Sequence, residues 1–159
     1  MVTMGYDFNI DEIFEMAEQI ERNGAKFYRN AAKNVSDQTH KDLLLELAVM
    51  EDHHEKMFKA MRAAFTDADK QTNVFDPDNE APLYLKALAD TRVFYEKEIN
   101  TTSMKEILKE AITAEKDSIV FYLGMKDLVP KELGQGKIDS IIKEEMAHIR
   151  LLAGKLTTL

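Results

Sequence analysis

Cysteine is absent from all 159 residues. That excludes disulfides, thiolate zinc sites and iron–sulfur clusters held by cysteine, although it carries no information on the redox compartment. Proline occurs three times (Pro77, Pro82, Pro130) and glycine six times, a scarcity of helix breakers that suits long helices. Positive charge is also in short supply. Lys and Arg total 21 against 29 Asp and Glu, a formal net charge of −8. With no basic run to offset that balance, nucleic acid and anionic membrane surfaces are not expected as partners. The N-terminal stretch MVTMGYDFNIDEIF has no basic start followed by an apolar run, so no signal peptide is expected. No apolar stretch approaches the roughly 18–20 residues of a membrane span. A soluble, cytoplasmic protein is the expectation.

What the chain does contain is helical periodicity. Apolar residues make up 45%, enough for a folded chain, and the length suits one domain over residues 1–159 with a real core. Four segments, at about 10–33, 37–65, 103–129 and 137–157, repeat apolar residues in alternating steps of four and three, as facing helices in a bundle require. The seams run Ile10, Phe14, Ala17, Glu21, Gly24, Tyr28, Ala31; then Leu44, Leu47, Glu51, His54, Phe58, Met61, Phe65; then Met104, Leu108, Ala111, Glu115, Ser118, Tyr122, Met125, Val129; then Ile138, Ile141, Glu145, His148, Leu152. Asn9 with Glu12 and Ser103 with Glu106 have capping-box spacing, and Ser36 is the expected N-cap of the second helix. Residues 66–102 are read as a long crossover carrying a short helix of its own, since a structureless loop of that length is unusual in a compact domain. The expected architecture is all-α, a four-helix bundle whose crossover joins two helices running in the same direction.

The seams are interrupted by polar residues at a few places only: Glu21, Glu51, His54, Glu115, Ser118, Glu145 and His148. An unpaired carboxylate in an apolar core costs several kcal/mol or takes up a proton, and four together repel one another. No Lys or Arg stands beside them on a seam, so a pair of metal ions would meet the need. The spacing is also repeated. Glu21 and Glu51 are 30 residues apart, as are Glu115 and Glu145. Glu21, Tyr28, Glu51 and His54 each map onto Glu115, Tyr122, Glu145 and His148 at an offset of 94 residues. ERNGAKFY (21–28) resembles EKDSIVFY (115–122). The chain therefore reads as two copies of a helical hairpin, each supplying two glutamates and a histidine.

This pattern resembles the ferritin-like, carboxylate-bridged di-iron family, nearest to its rubrerythrin branch. In such bundles two helices each supply a Glu and the other two each supply Glu-x-x-His. The likeness extends over the four main helices. It implies a ferritin-like bundle in which Glu51 and Glu145 bridge two metals, Glu21 and His54 hold one, and Glu115 and His148 hold the other. Mixed carboxylate and imidazole ligation suits two iron ions, with manganese or zinc as alternatives. Glu51, Glu145, Tyr28 and Tyr122 are the candidate catalytic residues; the tyrosines either hydrogen-bond ligand carboxylates or simply fill the core.

Two departures stand out. Rubrerythrins of the usual kind have a seventh ligand, a glutamate three residues after the third-helix Glu, where this chain has Ser118; the serine leaves room for a small oxidant or a water. They also end in a rubredoxin domain with four cysteines. Electrons are therefore expected from a separate donor, such as a rubredoxin-like protein. The resemblance implies reduction of hydrogen peroxide, with dioxygen as the other oxidant, in a homodimer. The alternatives are a ferroxidase or iron-storage protein, and a metal-stabilised interaction module with LYLKALADTRVFYEKEI (83–99) as its docking helix. Of the neighbouring residues, His40 and His53 are expected to be exposed. Glu18 is one turn from Glu21 and in reach of the site. Glu144 is expected on the surface, with some capacity to orient a histidine. Met50, Met57, Met61, Met104 and Met125 are read as core packing.

Overall fold

Helix starts are set by side chains that accept from the first free backbone amides. A computed structural model describes residues 9–70, 80–91 and 103–159. Asn9 Oδ1 accepts from the Glu12 amide at 2.9 Å and opens α1, Ile10–Lys33. Ser103 Oγ accepts from the Glu106 amide at 3.4 Å and opens α5, Met104–Leu128. Between them lie α2 (Gln38–Ala63), a four-residue α3 (Asp67–Lys70) and α4 (Glu80–Thr91). A 3-10 turn at Lys131–Leu133 leads into α6, Gln135–Thr157.

Three boundary expectations are corrected. The N-cap of α2 is Asp37, not Ser36: Asp37 Oδ1 accepts from the His40 amide at 3.0 Å. A carboxylate at that point also faces the positive end of the helix dipole, which the neutral hydroxyl one residue earlier does not. α2 closes at Ala63, yet Phe65 still enters the core, its ring edge-on to Phe14 at 4.9 Å. α6 begins two residues before Lys137 because the break falls at Gly134, whose φ of 128° suits only glycine. A Cβ there would also sit 2.9 Å from the Met61 sulfur. Gln135 Nε2 then donates to the Lys126 and Val129 carbonyls and secures the end of α5.

Short turns make two helical hairpins, α1 against α2 and α5 against α6. Their seams meet in one core that includes Phe14, Phe58, Phe121, Tyr28 and Tyr122. Nearly every expected seam residue is buried; Met104 is half-buried, whereas Ile107, off the expected seam, is fully buried. The expected crossover contains α3 and α4; residues 71–79 and 92–102 lie outside those described, as does the end of the 83–99 segment. Leu85 of α4 is fully buried and reaches α5 at Gly124, where a Cβ would meet its Cδ2 at 2.9 Å. Leu83 and Tyr84 remain exposed. Among the described residues, no helix is long and apolar enough to cross a membrane. Among the described residues the architecture is an all-α bundle of two helical hairpins.

One ion-pair network ties α1 to α2. Arg62 grips Asp11 through Nε (2.8 Å) and Nη2 (3.1 Å) and reaches Glu18 through Nη1 at 2.6 Å. The Arg62 hydrogen bond, outweighing partial burial, holds the Asp11 carboxyl below its ordinary range. Glu18 is buried, so removing Arg62 strands a carboxylate. Arg62→Ala is expected to lower stability by about 1–3 kcal/mol, less than a fully buried pair because Arg62 is partly solvated. Denaturant unfolding checks this; an unchanged midpoint would show the network to be idle.

Candidate metal centre

Four helices each deliver ligand-type side chains to the middle of the core. α1 supplies Glu21, α2 supplies Glu51 and His54, α5 supplies Glu115, and α6 supplies Glu145 and His148. All six are buried. They fall into two groups of four, Glu21, Glu51, His54, Glu145 and Glu51, Glu115, Glu145, His148, with the ligand-type atoms of each group within 4.8 Å of one another. Glu51 and Glu145 belong to both. His54 Nδ1 lies 2.7 Å from Glu145 and 3.5 Å from Glu21. His148 Nδ1 lies 3.4 Å from Glu51 and 3.5 Å from Glu115. The two imidazoles are near parallel, with centroids 5.7 Å apart.

Whether these residues fit a metal pair is decided by their unmet valences. Eight buried side-chain atoms lack a hydrogen-bond partner among the described residues: Glu21 Oε2, both oxygens of Glu51 and of Glu145, Glu115 Oε2, and Nδ1 of His54 and His148. Every one belongs to the six-residue set. Orphaned buried polar atoms are rare because each costs about 1–3 kcal/mol, and here they converge. Four carboxylates balance two divalent cations in charge, and the donor set is of the kind that takes iron, manganese or zinc. The residues fit.

The metal-free electrostatics say the same. Burial, then repulsion from the other carboxylates, pushes the Glu51 and Glu145 carboxyls well above their ordinary range. Burial acts on Glu115 in the same direction, but the neighbouring Glu145 and His148 and the Tyr28 hydroxyl that donates to it outweigh burial and bring the carboxyl down to about 2. Adjacent carboxyls resist ionising together: Glu145 is pushed towards its protonated form and Glu115 towards its charged one. Burial lowers the His54 imidazolium, but the close Glu145 and Glu21 carboxylates outweigh it and push its pKa up to about 11. Protons thus occupy the places that cations would take.

The tyrosines link the two halves. Tyr28 Oη donates to Glu115 Oε1 at 2.7 Å, and Tyr122 Oη donates to Glu21 Oε1 at 2.5 Å. Each hairpin's tyrosine therefore holds the unshared glutamate of the other hairpin. Burial and the nearby carboxylates push both phenols well above their ordinary range, so they act as protonated donors. Ser118 is buried, and its hydroxyl donates to the Ala114 carbonyl at 3.0 Å.

The neighbouring residues divide differently from expectation. Glu18 is held by Arg62, which sequence reading did not pair with it because the two lie 44 residues apart. His53 is exposed, whereas His40 is only half-exposed, beside its capping Asp37. Met61 and Met125 are core residues, but Met50 is 45% exposed. Glu144 is on the surface and nevertheless orients a histidine: its Oε2 is 2.6 Å from His54 Nε2.

The comparisons with known proteins agree with this geometry. The rubrerythrin family profile matches residues 3–62, which contain Glu21, Glu51 and His54. No curated protein matches significantly. A crystal structure of a protein from Thermotoga maritima, described as ferritin-like and diiron-carboxylate, superposes with a TM-score of 0.69 at 27% identity, over 95% of this chain and 96% of that one. The chain is thus similar to the rubrerythrin family over its first helical hairpin, shares the fold of a ferritin-like protein along nearly its whole length, and carries a candidate carboxylate–histidine metal site.

Proposed function

We propose that the protein is a cytoplasmic oxidoreductase that reduces hydrogen peroxide at a di-iron centre held by Glu21, Glu51, His54, Glu115, Glu145 and His148. The observation that carries this reading is the convergence of all eight orphaned buried atoms on those six residues. Two ferrous ions, when bound, supply the two electrons that, with two protons, convert one peroxide to two waters. The chain's own residues do the rest. Glu51 and Glu145, common to both groups, keep the ions together. Tyr28 and Tyr122 hold Glu115 and Glu21 in place by hydrogen bonds. The surrounding apolar seam excludes bulk water and strengthens the interaction between carboxylates and cations. A separate donor, such as a rubredoxin-like protein, returns the electrons, and a homodimer is the assembly.

The test is anaerobic. Reduced, iron-loaded protein is mixed rapidly with hydrogen peroxide and oxidation is followed by absorbance. Oxidation faster than that of free ferrous ion at equal concentration is expected; an equal or slower rate would sink the peroxidase reading. Ser118, tied to its own helix where the seventh glutamate of usual rubrerythrins would stand, favours a second reading, a ferroxidase or iron-storage protein. Rapid reaction with dioxygen in a many-subunit shell, seen by light scattering, would select that reading instead.

A further inference from the structure

The two halves of the metal centre differ at one repeated position. The 94-residue offset that relates the hairpins carries Glu144, the residue before the shared Glu145, onto Met50, the residue before the shared Glu51. Glu144 reaches from α6 to the outward nitrogen of His54 on α2, with Oε2 2.6 Å from Nε2. Met50 on α2 and His148 on α6 are the counterparts of Glu144 and His54 under that offset. Both line a groove of about 880 Å³ that also includes Leu43, Leu151, Glu46 and Lys155. His148 Nε2 has no hydrogen-bond partner among the described residues, and the imidazole is 3% exposed at the groove floor.

This difference acts on the inward nitrogens. A carboxylate that accepts from Nε2–H fixes the ring's orientation and its tautomer, leaving the Nδ1 lone pair directed at the cluster, and makes the imidazole a better donor. A thioether is a weak acceptor and does neither. Removing such a supporting group typically weakens metal binding 10- to 100-fold. Glu144 is 56% exposed, so water competes for its hydrogen bond, and the low end of that range applies.

We propose that the two metal positions are unequal: the Glu21, Glu51, His54, Glu145 position, supported by Glu144, fills first, and the Glu51, Glu115, Glu145, His148 position, flanked by Met50 and the groove, fills second and more weakly. This rests on the metal-centre reading above but not on any activity of the centre.

The test is equilibrium titration of metal-free protein with Mn(II) against a competing chelator, for wild type, Glu144→Met, Met50→Glu and the double variant. Repulsion between two cations weakens the second step in any protein, so the diagnostic is the first association constant. If Glu144 makes the His54 position about tenfold the stronger, Glu144→Met leaves two nearly equal positions and lowers the first constant about fivefold, and the double variant, with the support transposed, restores it. If the positions were equal, the first ion would fill the untouched one and the constant would fall by no more than about twofold; that result overturns the proposal. Circular dichroism of the metal-free variants is expected to match wild type, because residues 50 and 144 are exposed. If wild type binds no Mn(II) at all, the metal-centre reading falls with it, whereas two bound ions with an unaltered Glu144→Met constant remove only the inequality.

Discussion

Glu145→Gln is expected to empty both metal positions, while Glu115→Gln empties one. The comparison is made by elemental analysis of protein purified without added metal or chelator. Glu145 contributes to both four-residue groups, whereas Glu115 contributes to one and leaves Glu21, Glu51, His54 and Glu145 complete. Glutamine is nearly isosteric with glutamate but neutral, so it removes the charge that holds the cations and keeps the packing. Two ions per wild-type chain should fall to none in the first variant and to one in the second; Glu51→Gln should behave like Glu145→Gln. Equal losses in Glu145→Gln and Glu115→Gln would mean the glutamates are not divided into shared and unshared ones.

The same variants separate a metal centre from a structural polar network. In a structural network each carboxylate is there for its hydrogen bonds, and neutralising one costs several kcal/mol. In a metal centre the empty site is a burden, because its carboxylates repel. Metal-free Glu145→Gln should therefore be as stable as metal-free wild type, to within about 1 kcal/mol, since burial and the other carboxylates already push the Glu145 carboxyl towards its neutral form. A large loss of metal-free stability would favour the network.

How much of this was legible in the sequence depended on whether the governing signal was local or periodic. The seams were periodic, and the polar positions on them were the six cluster residues and Ser118. Glu21 and Tyr122 meet across the bundle, 101 residues apart, but each was visible as a seam position in its own helix. The Asn9 and Ser103 caps were legible from spacing alone. The cap of α2 was not, because Ser36 and Asp37 are both good caps and only the fold decides which lies in line with the first amides. Arg62, Glu144 and Met50 were the harder cases. All three lie off the seams, where hydrophobic period carries no information. Arg62 reaches Asp11 and Glu18 through a long side chain whose direction no spacing rule sets. Met50 read as core because methionine is apolar; its exposure follows from its lying beside the seam residue Glu51. The 94-residue repeat was the one signal that reached such positions, since it pairs Met50 with Glu144 regardless of burial.

Removing the metal is expected to change both the size of the stability and its dependence on pH. Ligand that binds only the folded state adds about 4 kcal/mol at a thousandfold excess over its dissociation constant, which for a chain of this length is a rise of roughly 8–16 °C in melting temperature. The pH dependence follows from where the protons sit without metal. Glu51 and Glu145 have folded-state pKa values raised above 4.5, by burial first and by neighbouring carboxylates second. Their contribution is complete below pH 4.5 and is lost as pH rises above it. His54, raised from 6.5 to about 11, contributes fully below pH 6.5 and loses that contribution as pH climbs towards 11. Glu115, lowered to about 2, works the other way and loses its contribution only as pH falls from 4.5 towards 2. Metal-free protein should therefore become steadily less stable from pH 4.5 through pH 6.5 and upward. Metal displaces the protons on Glu51, Glu145 and His54, so its affinity rises over the same interval. Thermal melts of metal-free and Mn(II)-saturated protein, at constant free metal, should thus diverge with increasing pH, with protons released on binding. Parallel curves would mean that the cluster's protons and the metal ions do not occupy the same atoms.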